Sequence, residues 1–174
     1  MSERGQIVSD SSPLIWLAKI GRLKLLKSLF GRVIIPRRVL VETTLEKEFA
    51  DSILIGRAVE EGWIEVREVD ADAGLLSNVT GLHPGEAEAI LLARKLGTEL
   101  IVDEREASAT AQMLGVRPVG TIAVLLLALR EQQLTLFEFK ESLDNLVASG
   151  FWLQVDVYGK VLEEAGSIAE RKED

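Results

Sequence analysis

Two short apolar runs each end on an aspartate and pass straight into a helix-start signal: Ile7-Val8-Ser9-Asp10 ahead of Ser11-Ser12-Pro13, and Leu100-Ile101-Val102-Asp103 ahead of Glu104-Arg105. Such runs have the composition of strands buried on both faces of a parallel sheet. Open α/β sheets bind ligands in the crevice outside the carboxyl ends of their strands, so both carboxylates are expected there. Like charges in one crevice repel unless a proton or a cation offsets them, which points to a metal before it points to a reaction.

The remainder of the chain alternates between the same two periods. Ser12 reads as a helix N-cap with Pro13 at the first helical position and Leu14, Leu17 and Ala18 at helical spacing, until Gly21 breaks the pattern. Leu23, Leu26, Leu29 and Phe30 mark a second short helix. Arg32 to Ile35 reads as a strand, and Pro36 opens a helix running through Glu42 toward Glu46. Asp51 to Glu61 is helical, Trp63 to Val69 alternates like an edge strand, and Ala71 to Thr80 fits neither period. Pro84 to Leu96 is the clearest helix, closed by Gly97. Residues 104 to 114 are helical with a stop at Gly115, Val116 to Val119 is a short strand, and Gly120-Thr121 supplies a turn and N-cap for Ile122 to Arg130. Leu134 to Ala148 and Val157 to Ala165 complete the helices, with Phe151 to Gln154 extended between them. This alternation predicts an α/β fold, a three-layer α/β/α sandwich around a central, mainly parallel sheet with right-handed crossovers. A chain of 174 residues, 47% hydrophobic, suits one domain at 1–165, with its core at about 7–130, C-terminal helices in 134–165 and a disordered polar tail at 166–174.

Composition removes several chemistries. With no cysteine there is no disulfide, zinc-thiolate site, iron-sulfur cluster or thiol nucleophile, and the only histidine, His83, makes no multi-histidine metal site. No run approaches the roughly 18 apolar residues a membrane span needs, and the N-terminus does not resemble a signal peptide, so a cytoplasmic chain is expected. Twenty basic against 28 acidic residues, a formal charge of -8, argue against broad attraction to nucleic acid, although bound divalent ions reverse the local field. There is no Gly-x-Gly-x-x-Gly after the first strand and no P-loop.

What remains is a set of spaced carboxylates. Asp10 reads either as a turn residue capping the next helix or, since Ser12 already supplies a cap, as a group free to face the crevice. Asp103 carries the same two readings. Glu104 and Glu106 fall in a first helical turn, where the helix dipole favours acids in any case. Glu86 shares a helical stripe with Ala89, Ile90 and Ala93, a small and apolar face that turns to a sheet or cleft, whereas Glu88 shares a mixed face with Leu91, Leu92 and Lys95. Glu86 is therefore the ligand candidate, beside its other reading as a dipole-stabilising first-turn acid. Glu42, in a helix with Arg38, Glu46 and Glu48, reads by physics alone as a solvated surface acid.

Ile-Val-Ser-Asp-Ser-Ser-Pro-Leu-Ile at 7–15, Val-Ile-Ile-Pro-Arg-Arg-Val-Leu-Val-Glu at 33–42, Gly-Glu-Ala-Glu-Ala-Ile at 85–90 and Leu-Ile-Val-Asp-Glu-Arg at 100–105 together resemble the PIN-domain family, in particular its prokaryotic PIN-like branch. The resemblance runs from residue 7 to about 130. It implies an acidic cluster that binds Mg²⁺ or Mn²⁺ and hydrolyses phosphodiester bonds, most often in RNA. Residue by residue it implies Asp10 as the first acid, Glu42 as the second, Glu86 as the third where many members have Asp, and Asp103 as the fourth, with Glu104 as its alternative. Ser12 corresponds to the small hydroxyl residue near the metal.

An oxygen-only donor set suits hard cations that keep waters and reach a substrate phosphate. Arg105, Lys19 and Arg37 are the candidate phosphate contacts, each also readable as an ordinary surface charge. The expected activity is metal-dependent endoribonuclease action on single-stranded RNA, with a toxin-antitoxin toxin as the specific form; the resemblance implies a homodimer and a small antitoxin protein. Phe151 and Trp152 are candidates for the dimer interface or simply for finishing the core. The competing readings are a non-catalytic RNA- or protein-binding regulator on the same fold and a Mg²⁺-dependent small-molecule phosphatase.

Overall fold

The computed structural model describes residues 5–45, 50–70 and 72–171. Five strands, β1 (Gln6–Ser9), β2 (Arg32–Pro36), β3 (Ile64–Arg67), β4 (Leu100–Ile101) and β5 (Pro118–Val119), form one sheet in the order β3-β2-β1-β4-β5 with every pair parallel. The chain leaves β1 toward β2 and β3, then returns to β1's other side for β4 and β5. Val8 pairs with Leu100 and Ser9 with Ile101, so the β1–β4 junction is where the winding reverses. At such a switch point the connections diverge and open a crevice at the carboxyl ends.

Period-two alternation decides which side each strand residue faces. Ile7, Val33, Ile35 and Ile101 enter one apolar cluster, while Val8, Ile34, Leu100 and Val102 enter a second. All eight are buried, as a sheet covered on both faces requires. The first cluster is closed by α1 (Ser11–Lys19), α2 (Lys24–Phe30), α4 (Ala50–Glu60), α8 (Thr121–Arg130), α9 (Leu136–Ala148) and α10 (Val155–Glu170), and the second by α6 (Pro84–Leu96) and α7 (Arg105–Met113). This is the three-layer α/β/α sandwich the sequence predicts. No helix among the described residues is long and apolar enough to cross a membrane.

Several local expectations change. Helix α1 starts at Ser11, so Asp10 rather than Ser12 occupies the cap position, though its side chain makes no cap bond. Pro13 tolerates this because amides anywhere in a first turn lack intrahelical partners. The helix opened by Pro36 is short: α3 (Arg37–Leu40) widens at once into a π turn at Val41–Leu45. There the Thr43 hydroxyl donates to the carbonyls of Val39 and Leu40, at 2.8 and 3.2 Å, and Thr44 donates to Leu40 at 2.6 Å, giving those carbonyls partners other than the regular helical amides. Glu46 and Glu48 lie outside the described residues.

The segment that fits neither period contains α5 (Asp72–Thr80), whose sole buried residue is Ala73, which explains its faint pattern; Ala71 lies outside the described residues. Gly120, not Thr121, caps α8. Helix α10 continues through Gly166 to Glu170, where a disordered tail is expected, because Ile168 carries on the face of buried Ala165 and packs against the core. Residues 172–174 lie outside the described residues.

Gly97 ends α6 with φ at +65°, while the amide of Thr98 donates to the Ala93 carbonyl at 3.0 Å. A side chain is strained in that left-handed conformation. Gly97→Ala is expected to cost about 1 kcal/mol, read as a lowered urea midpoint with an unchanged slope.

Candidate functional site

Asp10 is the last residue of its run stitched to the neighbouring strand, its amide donating to the Ile101 carbonyl at 2.9 Å. The side chain that follows is only 3% exposed. Burial raises its pKa most, and the charges of Glu86, Glu42 and Asp103 raise it further against the opposing amide of Ser11, leaving it at about 7. Three acids lying 32 to 93 positions further along the sequence thus sit within electrostatic reach of this one buried carboxyl group.

Each of the surrounding acids is fixed by a different piece of local structure. The π turn after β2 directs Glu42 inward, where the Ser11 hydroxyl donates to its Oε2. Glu86 lies in the first turn of α6 and is largely buried, and its Oε2 accepts the His83 amide at 3.0 Å. It thus accepts a backbone amide at the helix start while lying within electrostatic reach of Glu104 and Glu42. Burial raises its pKa first, then the charges of Glu104 and Glu42, against the opposing bond and charge of His83. Asp103 is gripped by Thr121, whose amide donates to Oδ1 at 2.8 Å and whose hydroxyl donates to Oδ2 at 2.7 Å. Its pKa is raised by burial and by Glu104, with the Thr121 bonds opposing. Ser12, His83, Glu86, Glu104 and Glu106 line one open cleft.

Glu88 lies beside Arg38 and is less buried than Glu86; burial raises its pKa first and the charge of Glu42 adds to this, against the charge and amide of Arg38. Among the proposed phosphate contacts, Arg37 is bonded to Glu68 beyond the end of β3, and Lys19 lies 4.9 Å from the centre of the Trp16 ring at the far end of α1. Arg105 is exposed and directly follows Glu104 at the cleft mouth.

Three residues of this neighbourhood escaped the sequence reading. Ser11 rather than Ser12 bonds a carboxylate. Thr121 was legible as a helix-entry residue but not as the anchor of Asp103. Gly85 leaves room for Glu42: a Cβ there would stand 2.7 Å from both Glu42 oxygens. The available signal was a glycine in a helical first turn that no cap or positive φ required. Thr121→Val, which keeps the shape and removes the hydroxyl, is expected to cost about 1–3 kcal/mol by leaving Asp103 Oδ2 without a donor, measured by thermal unfolding near pH 8.

Oxygen is the only donor type in the cluster, which suits a hard divalent cation. Among the described residues no three acidic or imidazole side chains converge at metal-ligand spacing. Ser11, the His83 amide and Thr121 each hold one of the acids surrounding Asp10. The residues present fit an ion by their chemistry, and gripping one requires their carboxylates to close inward.

No curated protein matches the chain. A family model described as a PIN domain matches residues 6–167, a span that takes in the whole sheet, the four acids and the three residues that anchor them. With that match covering most of its length, the chain belongs to the PIN-domain family.

Proposed function

We propose that this protein is a Mg²⁺- or Mn²⁺-dependent endoribonuclease that hydrolyses phosphodiester bonds in single-stranded RNA. The carrying observation is Asp10, a buried carboxyl group at the sheet's switch point whose proton affinity is raised by three further acids. Family membership supports the reading, since PIN domains are generally metal-dependent nucleases. Asp10, Glu42, Glu86 and Asp103 would hold the metal, with Glu104 available in place of Asp103. A bound divalent ion lowers the pKa of a coordinated water and offsets charge on the reacting phosphate. The chain's own part is to orient the ligands through Ser11 and Thr121, to keep Ser12 beside the cleft, and to offer Arg105 to a substrate phosphate at its mouth. Action as the toxin of a toxin-antitoxin pair, with a small antitoxin protein blocking the cleft, and assembly as a homodimer belong to the same proposal.

The test is cleavage of a labelled single-stranded RNA with Mn²⁺. The wild type is expected to cut and Asp10→Asn to lose roughly a thousandfold in rate, as removal of about 4 kcal/mol of transition-state stabilisation implies. Equal cleavage by both would end the assignment. The absence of a closed ligand cage among the described residues favours one second reading, a non-catalytic RNA-binding regulator. RNA bound but uncut by the wild type with Mn²⁺ would select it.

A further inference from the structure

Ser12, Trp16 and Lys19 are spaced i, i+4 and i+7 along α1, and so share one outward face of that helix. Ser12 lines the acid cleft, which makes this face a continuation of the cleft's wall. One turn further, Trp16 is half-buried and meets Phe151 edge to face, with ring centres 5.5 Å apart and planes at 80°. A side chain at Gly150 would reach the same ring, its Cβ standing 4.0 Å from Trp16 Cη2. Lys19 rests over that ring and makes no ion pair with any described residue. Beyond Phe151 the chain presents Trp152, 79% exposed, an unusual position for the largest apolar side chain.

A held ammonium group on a helix face that starts at the carboxylate cleft, with an exposed indole one residue beyond the ring packed on Trp16, has the features that grip single strands: a cation for a phosphate and a π face for any base. A protein of net charge -8 gains little from diffuse attraction, so the few cations on the strand's path carry more of the binding. Arg37, already bonded to Glu68, contributes less.

We propose that Lys19, seated on Trp16, and Trp152 form a platform on which the single-stranded RNA leaving the acid cleft is held, Lys19 at a phosphate and Trp152 stacked on a base. This rests on the ribonuclease reading, but its test separates the two. Binding is measured by fluorescence anisotropy with a 5′-labelled 12-nucleotide oligouridine on Asp10→Asn protein, which does not consume the probe. Adding Trp152→Ala is expected to weaken binding roughly tenfold, with Trp152→Phe restoring most of it, the size of a lost base stack. Adding Lys19→Gln weakens binding several-fold and lowers the salt slope by about one. In the cleaving protein Trp152→Ala raises KM more than it lowers kcat.

Binding unchanged by both substitutions would overturn the platform while leaving cleavage and its dependence on Asp10 intact. Failure of the wild type to bind or cut RNA would overturn both proposals. A Trp152→Ala change seen only as a shift in sedimentation, with RNA binding unaltered, would assign the indole to contact with a second copy instead. Trp152 is exposed, so its replacement leaves the core untouched; a far-ultraviolet spectrum matching the parent verifies that.

Discussion

Metal-free Asp10→Asn is expected to melt several degrees above the wild type at pH 8, and the order is expected to reverse when Mn²⁺ is added. The first half follows from proton linkage. The Asp10 pKa moves from its ordinary 3.8 to about 7 in the folded protein, so the native state holds a proton that the unfolded chain has already released. Below pH 3.8 both states are protonated and the shift has no effect on stability. Between 3.8 and about 7 stability falls as pH rises, and above 7 the penalty is complete, about 4 kcal/mol as an upper figure. An uncharged side chain at position 10 removes the penalty, so the gain from Asp10→Asn is largest at pH 8 and shrinks toward pH 4.

The second half follows from binding linkage, since an ion that binds only the folded state raises its stability with concentration. Mn²⁺ offsets the cost of burying a charged Asp10 beside three other acids, so the wild type rises and Asp10→Asn does not. Calorimetry at pH 5 and pH 8, with and without Mn²⁺, gives the four required values. A wild type that Mn²⁺ leaves unmoved, or an Asp10→Asn protein that shifts equally, would remove Asp10 from the ligand set.

Gly85→Ala is expected to reduce Mn²⁺-dependent cleavage 10- to 100-fold while changing stability by less than about 1 kcal/mol. The added Cβ falls 2.7 Å from both oxygens of Glu42, a separation that no relaxed structure keeps. Glu42 is the flexible partner in that clash and yields, abandoning its bond from Ser11. Helical alanine is intrinsically favoured over glycine, which offsets much of the local cost. The damage is therefore to carboxylate placement rather than to the fold. The decisive comparison is the double variant Gly85→Ala with Glu42→Gln: if glycine acts by making room for Glu42, the double loses no more activity than Glu42→Gln alone. Fully additive losses would mean that Gly85 matters for another reason.

Legibility in the sequence followed the range of the forces involved. Alternation of strand and helix, the inward stripe of Glu86, the stop at Gly97 and the edge position of β3 were all readable, because each is set by neighbours within a turn or two. Errors clustered where a local signal had two satisfactory outcomes. Ser12 and Pro13 describe a helix start equally well if the helix begins one residue earlier, and the polar sequence after Gly166 gives no local sign that Ile168 finds a core to pack against. Glu42 shows the largest gap. Its neighbours describe a solvated helix, and it turns inward because the π turn redirects the backbone and because Ser11 and Gly85, from two other elements, supply a donor and a space.

By itself the amino-acid order determined the layers of this protein and the residues that end its central strands, since periodicity and turn chemistry act over a few residues and survive without knowledge of the whole. Only the tertiary structure decided which carboxylates share a dielectric environment, which hydroxyl and amide hold each one, and that burial, with three neighbouring charges, raises the Asp10 pKa to about 7. The reason is that electrostatic coupling depends on separation through space and on exclusion of water, and neither exists until β1 and β4, far apart along the chain, lie side by side.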